Sequence, residues 1–372
     1  MAEAERYIGL MSGTSIDAVD AVLLTFAGDQ PRVSHWHTEP IPEPLRAAIT
    51  ALCLPGADTL DLLGETDHAL GELFARAALA LIDGAGLEPG DISAIGSHGQ
   101  TVRHRPGGAH PFTLQIADPN LIAARTGLPT VADFRRMDMA LGGQGAPLVP
   151  AFHRAIFHHP ARQRLVVNIG GIANLTWIPA CGPVLGFDTG PGNGLMDQWI
   201  QRARGEPFDR DGARAASGEV HRPLLARLLA HPFLARRAPK STGREEFNLA
   251  WLDGVIASLP TAPPSDDVMA TLAAFTATTL AESLALLPNG QRPDEIYLCG
   301  GGAANKHLVK LIGQTFHPIP VNTTSAVGIG PGQVEGAAFA WLARQTLGRR
   351  PGSLASVTGA SRDAVLGALY LP

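Results

Sequence analysis

The first residues whose types suggest chemistry lie near the start of the chain, in the run MSGTSIDAVD from Met11 to Asp20. Three hydroxyl residues and a glycine follow an apolar segment there, and such a turn can present N–H groups and hydroxyls to an anion such as phosphate. Asp17 and Asp20 would repel a phosphate directly, but they could hold Mg²⁺ or its waters against one. The alternative is an ordinary hairpin turn, because Gly, Ser, Thr and Asp are all favoured in turns.

Two further glycine-rich turns follow apolar segments later in the chain. The first contains Gly170, Gly171 and Asn174, and the second contains Gly300, Gly301, Gly302 and Asn305. Glycine lets a backbone approach a ligand closely, and a helix that starts after such a turn has free N–H groups. Each turn is predicted at a strand end, which is where open α/β sheets bind ligands.

Asp188 is the strongest single candidate for a catalytic side chain. It follows the apolar segment Val184–Phe187 and precedes the forced turn Gly190-Pro191-Gly192. A carboxylate on a rigid strand end suits a general base that acts on a hydroxyl or a water. Aspartate is also a common N-cap, so capping of the next helix is an equally good interpretation from position alone.

Polar residues also follow two other predicted strands. Gln100, Thr101 and His104 follow one of them, and Arg135 and Arg136 follow the other. Two guanidinium groups facing one space can clamp a carboxylate. The alternative for the arginines is solvated surface charge.

The elements that must position these residues alternate between strands and helices. A hairpin with a glycine turn, a third strand, helices and a further strand occur in this order twice, beginning near Tyr7 and again near Leu165. This pattern predicts an α/β fold with two lobes, each built on a mixed, largely parallel sheet. The predicted lobes are residues 1–140 with about 350–372, and residues 141–349 with a helical insertion at about 205–290, and a cleft is predicted between them. One large doubly wound domain is the alternative.

Length and composition limit the other possibilities. A chain of 372 residues favours about two domains. The net charge is −5 and no basic block is present, so nucleic-acid binding is not predicted. The lysines are Lys240, Lys306 and Lys310, and none completes a Walker-A triplet, so ATP would have to bind by another route. Scattered cysteines favour reduced thiols in the cytoplasm, and we expect neither a signal peptide nor a run long enough to span a bilayer.

The motifs taken together resemble those of one family, the anhydro-N-acetylmuramic acid kinases. They occur in the family's order and extend from the first strand almost to the last residue. The matching runs are IGLMSGTSIDAVDAVL, GSHGQTVRH, PFTLQIAD, DFRRMDMALGGQGAPLVPAFH, NIGGIANLTW, GFDTGPGNGLMD, PKSTGREEFN and SVTGAS.

This resemblance implies the two-lobed actin/hexokinase-type (ribonuclease H-like) fold with duplicated domains. It implies a cytoplasmic, ATP- and Mg²⁺-dependent kinase that opens 1,6-anhydro-N-acetylmuramic acid with water and phosphorylates O6, in cell-wall recycling, and it suggests a homodimer. Asp188 is implied to be the catalytic base, and Arg135 and Arg136 are our candidates for the substrate's lactyl carboxylate. The implied phosphate loop comprises Gly13, Thr14, Ser15, Ile16, Asp17, Ala18, Val19 and Asp20.

Two departures from the family pattern stand out, and two alternatives stay open. Ala18 replaces a usual glycine, and its β-carbon is expected to weaken ATP binding at most. The run from Gly330 to Gln333 lacks the family's usual charged residue, and Glu335 is either a second cleft carboxylate or a first-turn helix residue. The alternatives are a kinase for a neutral anhydrosugar such as levoglucosan, and an ATP-binding sensor without catalytic activity.

Overall fold

The computed structural model describes residues 5–13, 15–28, 30–54, 56, 58–238, 240–243 and 246–372. Within these residues the strands are β1 Glu5–Met11, β2 Ala18–Ala27, β3 Gln30–Pro40, β4 Ala94–Ser97, β5 Gln100–Arg105, β6 Phe112–Ile116, β7 Thr130–Ala132, β8 Arg164–Ile169, β9 Ile172–Ile178, β10 Leu185–Pro191, β11 Glu295–Cys299, β12 Val321–Thr323 and β13 Ala368–Tyr370. The α-helices are α1 Glu43–Cys53, α2 Leu60–Gly84, α3 Pro119–Thr126, α4 Arg136–Ala140, α5 Val149–Phe157, α6 Gly194–Arg204, α7 Ala213–Ser217, α8 Arg222–Leu229, α9 Leu249–Ala257, α10 Ser265–Glu282, α11 Lys306–Phe316, α12 Val334–Leu347 and α13 Ala355–Thr358.

The chain divides into two compact units with boundaries that differ from the predicted ones. Unit 1 is Met1–Ile156 with Gln333–Pro372, and unit 2 is Phe157–Gly332. The return to unit 1 therefore comes at Gln333 rather than near residue 350, because α12 packs on β1, β2 and β4. The first boundary lies after α5 starts rather than near residue 140. Sequence patterns mark the helices themselves but not the sheet on which each one packs.

Unit 1 is built on a six-stranded sheet of order β13-β7-β4-β1-β2-β3. Strands β1, β4 and β7 are parallel, and β2 is antiparallel to both β1 and β3. The carboxyl ends of β1, β4 and β7 thus lie at one edge of the sheet, followed by Ser12, His98 and Asp133 respectively. The prediction that the C-terminal segment packs back on the first lobe is confirmed, since β13 pairs with β7.

Helix α12 lies unusually close to the sheet of unit 1. A β-carbon at Gly9 of β1 would collide with the Gly336 carbonyl oxygen, and one at Gly96 of β4 would collide with the Phe339 carbonyl oxygen. Only glycine allows such an approach of backbone to backbone. Since Gly336 faces Gly9 and the Arg344 side chain bonds Glu5, the helix runs antiparallel to β1 and begins at the end of β1 where the strand gives way to Ser12.

Unit 2 repeats the strand order of unit 1. Its five-stranded sheet has the order β10-β9-β8-β11-β12, with β8, β11 and β12 parallel and β9 antiparallel to its two neighbours. In each unit the core order is third, second, first, fourth and fifth strand, which is the ribonuclease H-like order. The predicted α/β fold with duplicated mixed sheets is therefore confirmed. The segment between α6 and β11 contains the helices α7 to α10.

One segment bears on the expectation that no run is long enough to span a bilayer. Within the described residues one helix, Ser265–Leu286, is long and apolar enough to cross a membrane by length and composition. Most of this segment is buried, however, and Val268, Leu272 and Phe275 belong to the hydrophobic core of unit 2. Because core helices pass the same test, the segment is weak evidence for a membrane span.

Candidate active site

The turn between β1 and β2 is fixed by side chains on both sides. The Ser12 hydroxyl donates to Gln100 Oε1 at 2.7 Å in a buried hydrogen bond. Ile16 has φ +54°, an outlying value for a β-branched residue, and its carbonyl oxygen accepts a bond from Arg46 Nε at 2.9 Å. The Ser15 hydroxyl donates to Asp17 Oδ1 at 2.6 Å. A strained turn that its surroundings hold in place is typical of a ligand-binding loop.

The predicted phosphate loop is longer than the turn that the structure contains. Ala18, Val19 and Asp20 belong to β2, and Asp20 pairs with Met11 across the hairpin. The Val19 side chain is completely buried in the core, so any contact of this residue with a ligand would have to come from its backbone. Thr14 lies outside the described residues. Gly13, Ser15, Ile16 and Asp17 form the turn itself.

Three carboxylates of unit 1 influence one another near this turn. Burial raises the pKa of Asp20, a bond from the Thr38 hydroxyl opposes this, and the charge of Asp17 raises the pKa further. Burial also raises the pKa of Glu335, in the first turn of α12, while Arg135 lowers it and Asp20 raises it. The Glu335 side chain is nevertheless accessible to solvent. Carboxylates that repel one another and still reach solvent are arranged as a cation would require.

The described residues contain no cluster of three or more His, Cys, Asp or Glu side chains that could hold a metal by themselves. This does not disagree with Mg²⁺, which keeps several waters and is usually held by one or two carboxylates together with substrate phosphates. Asp17 and Asp20 offer such a pair, and their mutual repulsion is what a divalent cation would relieve. The donor set therefore fits Mg²⁺.

Arg135 and His98 form a buried pair at the edge of the same sheet. Arg135 Nε and Nη2 lie 3.1 and 2.9 Å from His98 Nε2, and Nη1 donates to the Gly145 carbonyl oxygen at 2.8 Å. His98 Nδ1 lies 2.8 Å from the Gly99 carbonyl oxygen. These partners assign a neutral imidazole that carries its proton on Nδ1. Burial, with the Arg135 charge, holds the pKa of His98 well below its usual value, and burial lowers the pKa of Arg135 to about 10 against the charge of Glu335.

The two arginines of the predicted clamp have different partners in the structure. Arg136 points elsewhere, since its Nε lies 2.8 Å from both carboxylate oxygens of Asp133. The two guanidinium groups of neighbouring residues thus have separate partners, because Arg135 ends the turn after β7 and Arg136 begins α4. Binding of the substrate's carboxylate by Arg135 and Arg136 stays a prediction.

Gln100 and Thr101 have a local role that the sequence did not reveal. Gln100 is 2% exposed, and besides accepting from Ser12 it donates from Nε2 to the Thr101 carbonyl oxygen at 3.2 Å. The Thr101 hydroxyl accepts a bond from Gln115 Nε2 at 3.0 Å. Gln100 therefore ties β5 to the turn after β1. Direct binding of substrate by these residues stays a prediction.

In unit 2 the turn at Gly170-Gly171 lies against the turn before α6, and the end of β8 that leads into it lies against the turn that begins at Gly300. The N–H groups of Gly192 and Gly194 donate to the Gly171 carbonyl oxygen at 3.0 and 3.1 Å, so the turn before α6 closes on the turn after β8. A β-carbon at Gly300, which has φ +81°, would collide with the Asn168 side chain and approach the Ile169 backbone. The second and third glycine turns are thus brought together, as predicted.

The other residues of unit 2 that were predicted to contact the nucleotide differ in exposure and in their hydrogen bonds. Asn305 is the N-cap of α11, with its Oδ1 accepting from the Leu308 N–H at 2.9 Å. Gly301 is exposed, whereas Gly302 is buried against Ile169. A nucleotide contact of Asn305 would have to use the part of its amide that does not cap the helix. ATP binding by these residues and by Gly170 and Gly171 stays a prediction.

A row of polar side chains crosses the sheet of unit 2 beside these turns. Asp188 pairs with Asn174, Asn174 pairs with Asn168, and Asn168 pairs with Cys299. Residues paired directly across strands project from the same face of a sheet. Asn174 therefore lies next to Asp188, rather than at the tip of the glycine turn where the sequence pattern placed it.

Asp188 is part of a strand and does not cap a helix. Strand β10 continues through it to Pro191, and α6 begins only at Gly194, with Asn193 as its N-cap. A following loop holds Asp188 on two sides: its N–H donates to the Lys240 carbonyl oxygen at 3.1 Å, and the Thr242 N–H donates to its Oδ2 at 2.9 Å. The capping alternative is therefore wrong, and a carboxylate fixed in this way has the rigidity that a general base needs.

The neighbours of Asp188 were not among the predicted site residues. Lys240 and Thr242 belong to the run PKSTGREEFN, which is one of the runs that carry the family resemblance. A signal was present, since Lys240 is one of three lysines in the whole chain and is flanked by a proline and a serine. His98 was missed as well, because nothing local predicts that Arg135 will reach it.

The repeated strand order, with a hydroxyl-rich turn in one unit and a strand-held aspartate in the other, defines a protein of the actin/hexokinase-type kinase class. A family model described as anhydro-N-acetylmuramic acid kinase matches residues 5–372. The chain belongs to the anhydro-N-acetylmuramic acid kinase family and is an ATP-dependent sugar kinase.

Two relatives that bear the family's name support this membership. A protein from Shewanella halifaxensis named anhydro-N-acetylmuramic acid kinase is 52% identical over 98% of this chain and 98% of its own length. One of the same name from Shewanella pealeana is 50% identical with the same coverage. A ROK family glucokinase from Streptomyces griseus, solved with glucose and AMPPNP, is 16% identical with a TM-score of 0.43 and covers 91% of this chain and 99% of its own. This last likeness is too low to add to the argument.

Proposed function

We propose that the chain converts 1,6-anhydro-N-acetylmuramic acid, water and ATP into N-acetylmuramate 6-phosphate and ADP, as a step of cell-wall recycling. Membership of the family carries the choice of substrate. The observation that carries the mechanism is Asp188, which is held on a strand by two backbone hydrogen bonds and takes no part in capping α6.

In this proposal Asp188 accepts a proton from the water that attacks C1 of the sugar. The C1–O6 bond breaks with its electrons going to O6, and O6 attacks the γ-phosphorus of ATP in line, with ADP leaving. The sum of the reaction is one water consumed and one proton released. Phosphoryl transfer needs positioning and neutralisation of charge more than covalent help, which suits a site that is poor in lysine.

The turn of unit 1 is our candidate for the phosphate-binding loop. In this proposal Ser12, Gly13, Ser15 and the backbone N–H groups of the turn bind the phosphates of the nucleotide. Asp17 and Asp20 would hold Mg²⁺, directly or through water, and the ion would supply neutralisation of phosphate charge. Glu335 lies in the first turn of α12, close to this turn, and the charge of Asp20 acts on it. Glu335 is therefore a further candidate for binding the waters around the ion.

Arg135 and Arg136 remain our candidates for binding the sugar's carboxylate, although each has another partner in the structure. The assay must therefore include levoglucosan, a neutral anhydrosugar, beside 1,6-anhydro-N-acetylmuramic acid. We further propose that the chain acts in the cytoplasm, where ATP is available, and as a homodimer, which sedimentation analysis would test.

The direct test of the mechanism is ADP release by the wild-type chain and by Asp188→Asn, with each sugar and without sugar. We expect ADP release to depend on 1,6-anhydro-N-acetylmuramic acid, and Asp188→Asn to lower kcat by about 10² to 10⁴-fold, because a general base contributes on that order. The matched control is Asp253→Asn, since Asp253 is an exposed residue of α9 paired with Arg202.

Wild-type kcat in Asp188→Asn would refute the assignment of the base. Faster turnover of levoglucosan than of 1,6-anhydro-N-acetylmuramic acid would show that the preferred substrate is a neutral anhydrosugar. Nucleotide binding without turnover of either sugar would favour an ATP-binding sensor without catalytic activity.

A further inference from the structure

Lys240 is a buried lysine for which the proposed mechanism has no use. Its side chain is 9% exposed, and its ammonium lies 4.6 Å from the ring centroid of Phe233 and 5.7 Å from that of Phe187. Nζ donates to the Leu234 carbonyl oxygen at 3.2 Å. Aromatic faces and a carbonyl oxygen are attractive partners for a cation, but burial of a charge is costly unless an opposite charge is near. The structure supplies that charge in Asp188.

The segment that carries Lys240 also holds the Asp188 carboxylate in place. The Asp188 N–H, in β10, donates to the Lys240 carbonyl oxygen, and the Thr242 N–H donates to Oδ2 of Asp188. Phe187, which contacts the ammonium, is the residue directly before Asp188. The ammonium, the backbone bonds and the carboxylate therefore form one connected arrangement.

The charges around Lys240 can be named from each element that surrounds it. Asp188 faces it from β10, and Arg236 acts on it from the segment after α8. Arg236 is itself paired with Glu246 at 2.8 Å, and His231 interacts with both of these. Burial lowers the pKa of Lys240, the charge of Asp188 raises it, and Arg236 lowers it. Asp188 is thus the group that favours the charged ammonium most directly.

We propose that Lys240 is a positioning residue for Asp188, whose caged positive charge keeps that carboxylate ionised while the adjoining backbone fixes its direction. The inference rests on the proposed role of Asp188 as the proton acceptor. Lys240 does not contact substrate in this proposal, because its ammonium is enclosed by Phe187, Phe233 and the Leu234 carbonyl oxygen.

A purely structural lysine would behave differently from a positioning one. If Lys240 only fills a cage, its replacement lowers stability but leaves the pH dependence of catalysis unchanged. If it holds Asp188 ionised, its removal raises the pH at which Asp188 gains a proton, because an opposite charge close by favours the ionised form. The pH profile therefore separates the two roles.

The experiment measures kcat and kcat/KM for 1,6-anhydro-N-acetylmuramic acid against pH in wild type, Lys240→Met, Lys240→Arg and Lys310→Met. For Lys240→Met we expect the acid limb of kcat/KM to move up by about one pH unit, and kcat at neutral pH to fall by about tenfold to a hundredfold as the carboxylate loses its alignment. KM for ATP should not change. Lys240→Arg should keep the acid limb of the wild type, and so should Lys310→Met, since Lys310 is an exposed lysine of α11.

A folded Lys240→Met enzyme with the acid limb and kcat of the wild type would overturn the proposal. If Lys240→Met does not fold by circular dichroism, Lys240→Gln is measured in its place, since its amide can still donate to the Leu234 carbonyl oxygen without carrying charge. Thr242→Pro, which removes the N–H bonded to Asp188, should lower kcat further than Thr242→Ser, which keeps that N–H and a hydroxyl for the bond to Glu246; equal activity of the two would also count against the proposal.

Failure of the base assignment gives a separate result. If Asp188→Asn is fully active, the proposed function is at fault. If Asp188→Asn is inactive while Lys240→Met, or Lys240→Gln in its place, shows the wild-type profile, only the inference about Lys240 is lost.

Discussion

In unit 1 the turn between the first two strands carries Ser12, Ser15 and Asp17, whereas the corresponding turn of unit 2 is Gly170-Gly171. Both turns follow the central strand of sheets with one strand order. In unit 1 the polar side chains lie in the turn itself and in the helix α12 that starts beside it. In unit 2 the turn contains no side chains beyond hydrogen, and the carboxylate lies instead on the third strand, at Asp188.

The two units also use glycine for different purposes. Gly9, Gly96 and Gly336 of unit 1 allow a whole helix to lie against the sheet. In unit 2, Gly192 and Gly300 allow separate turns to close on one another. The comparison teaches that a repeated strand order does not determine where the functional side chains lie. The positions of the glycines decide which backbone segments can pack closely against one another.

The largest effect is expected from glycines that hold backbones together. Gly9→Ala should lower the free energy of unfolding by about 3 kcal/mol, since its β-carbon would meet the backbone of α12. Gly192→Ala in unit 2 should have a similar effect, because its β-carbon would meet the Gly170 carbonyl oxygen. Urea denaturation measures both.

The matched control is the same substitution in open space. Gly64 lies inside α2 with nothing near its missing β-carbon, so Gly64→Ala should raise the free energy of unfolding by about 0.5–1 kcal/mol. If Gly9→Ala were as stable as wild type, the account of how α12 is positioned would fail.

An intermediate effect on the free energy of unfolding is expected from a fall in pH, and we expect unit 1 to lose its structure first. Burial holds the pKa of His98 well below its usual value and lowers that of His153 to about 3. The unfolded chain takes up protons near pH 6.5 that the folded chain refuses, so this stability is present above about pH 6.5 and is lost as pH falls. The expected slope is about 1.4 kcal/mol per pH unit for each histidine.

Urea unfolding between pH 7 and pH 5 tests this slope. His98→Gln should reduce the slope by up to about 1.4 kcal/mol per pH unit, because one of the protons taken up on unfolding is removed, whereas the exposed His110→Gln should leave it as in wild type. Hydrogen exchange would locate the first loss of protection, which we expect in unit 1. A first loss in unit 2 would reverse this part of the comparison.

The smallest effect is expected from the carboxylates of the unit 1 turn. Because the charge of Asp17 raises the pKa of Asp20, Asp17→Asn should lower that pKa. Asp20 would then stay ionised to lower pH, so the acid-side loss of Mg²⁺ activation should move down by a few tenths of a pH unit, while loss of the Asp17 carboxylate should also raise the Mg²⁺ concentration needed for half activation. Asp20→Asn should raise the Mg²⁺ concentration for half activation about fivefold, by loss of one carboxylate.

Activity titrations with Mg²⁺ at several pH values measure both changes. Asp61→Asn, in the exposed first turn of α2, is the control. If Asp20→Asn showed the Mg²⁺ dependence of the wild type, the ion would have to be held elsewhere.

Several features could be predicted from the sequence because they are local. Alternating strands and helices, the three glycine turns and the apolar segment that leads to Asp188 are all set by the order of residue types along short segments, although the strand continues through Asp188 to Pro191. The resemblance gave the family and the class of reaction, and Asp188 kept its candidacy when the capping alternative proved wrong.

What only the tertiary structure decided depends on pairs that are far apart in the chain. The sequence could not separate the two neighbouring arginines, of which Arg135 turns inward to His98 and Arg136 outward to Asp133. Nor could it show that Lys240 lies beside Asp188, more than fifty residues earlier in the chain. The physical reason is that strand order and turns follow from local preferences, whereas the direction of a charged side chain is set by whichever partner the packed sheets bring within reach.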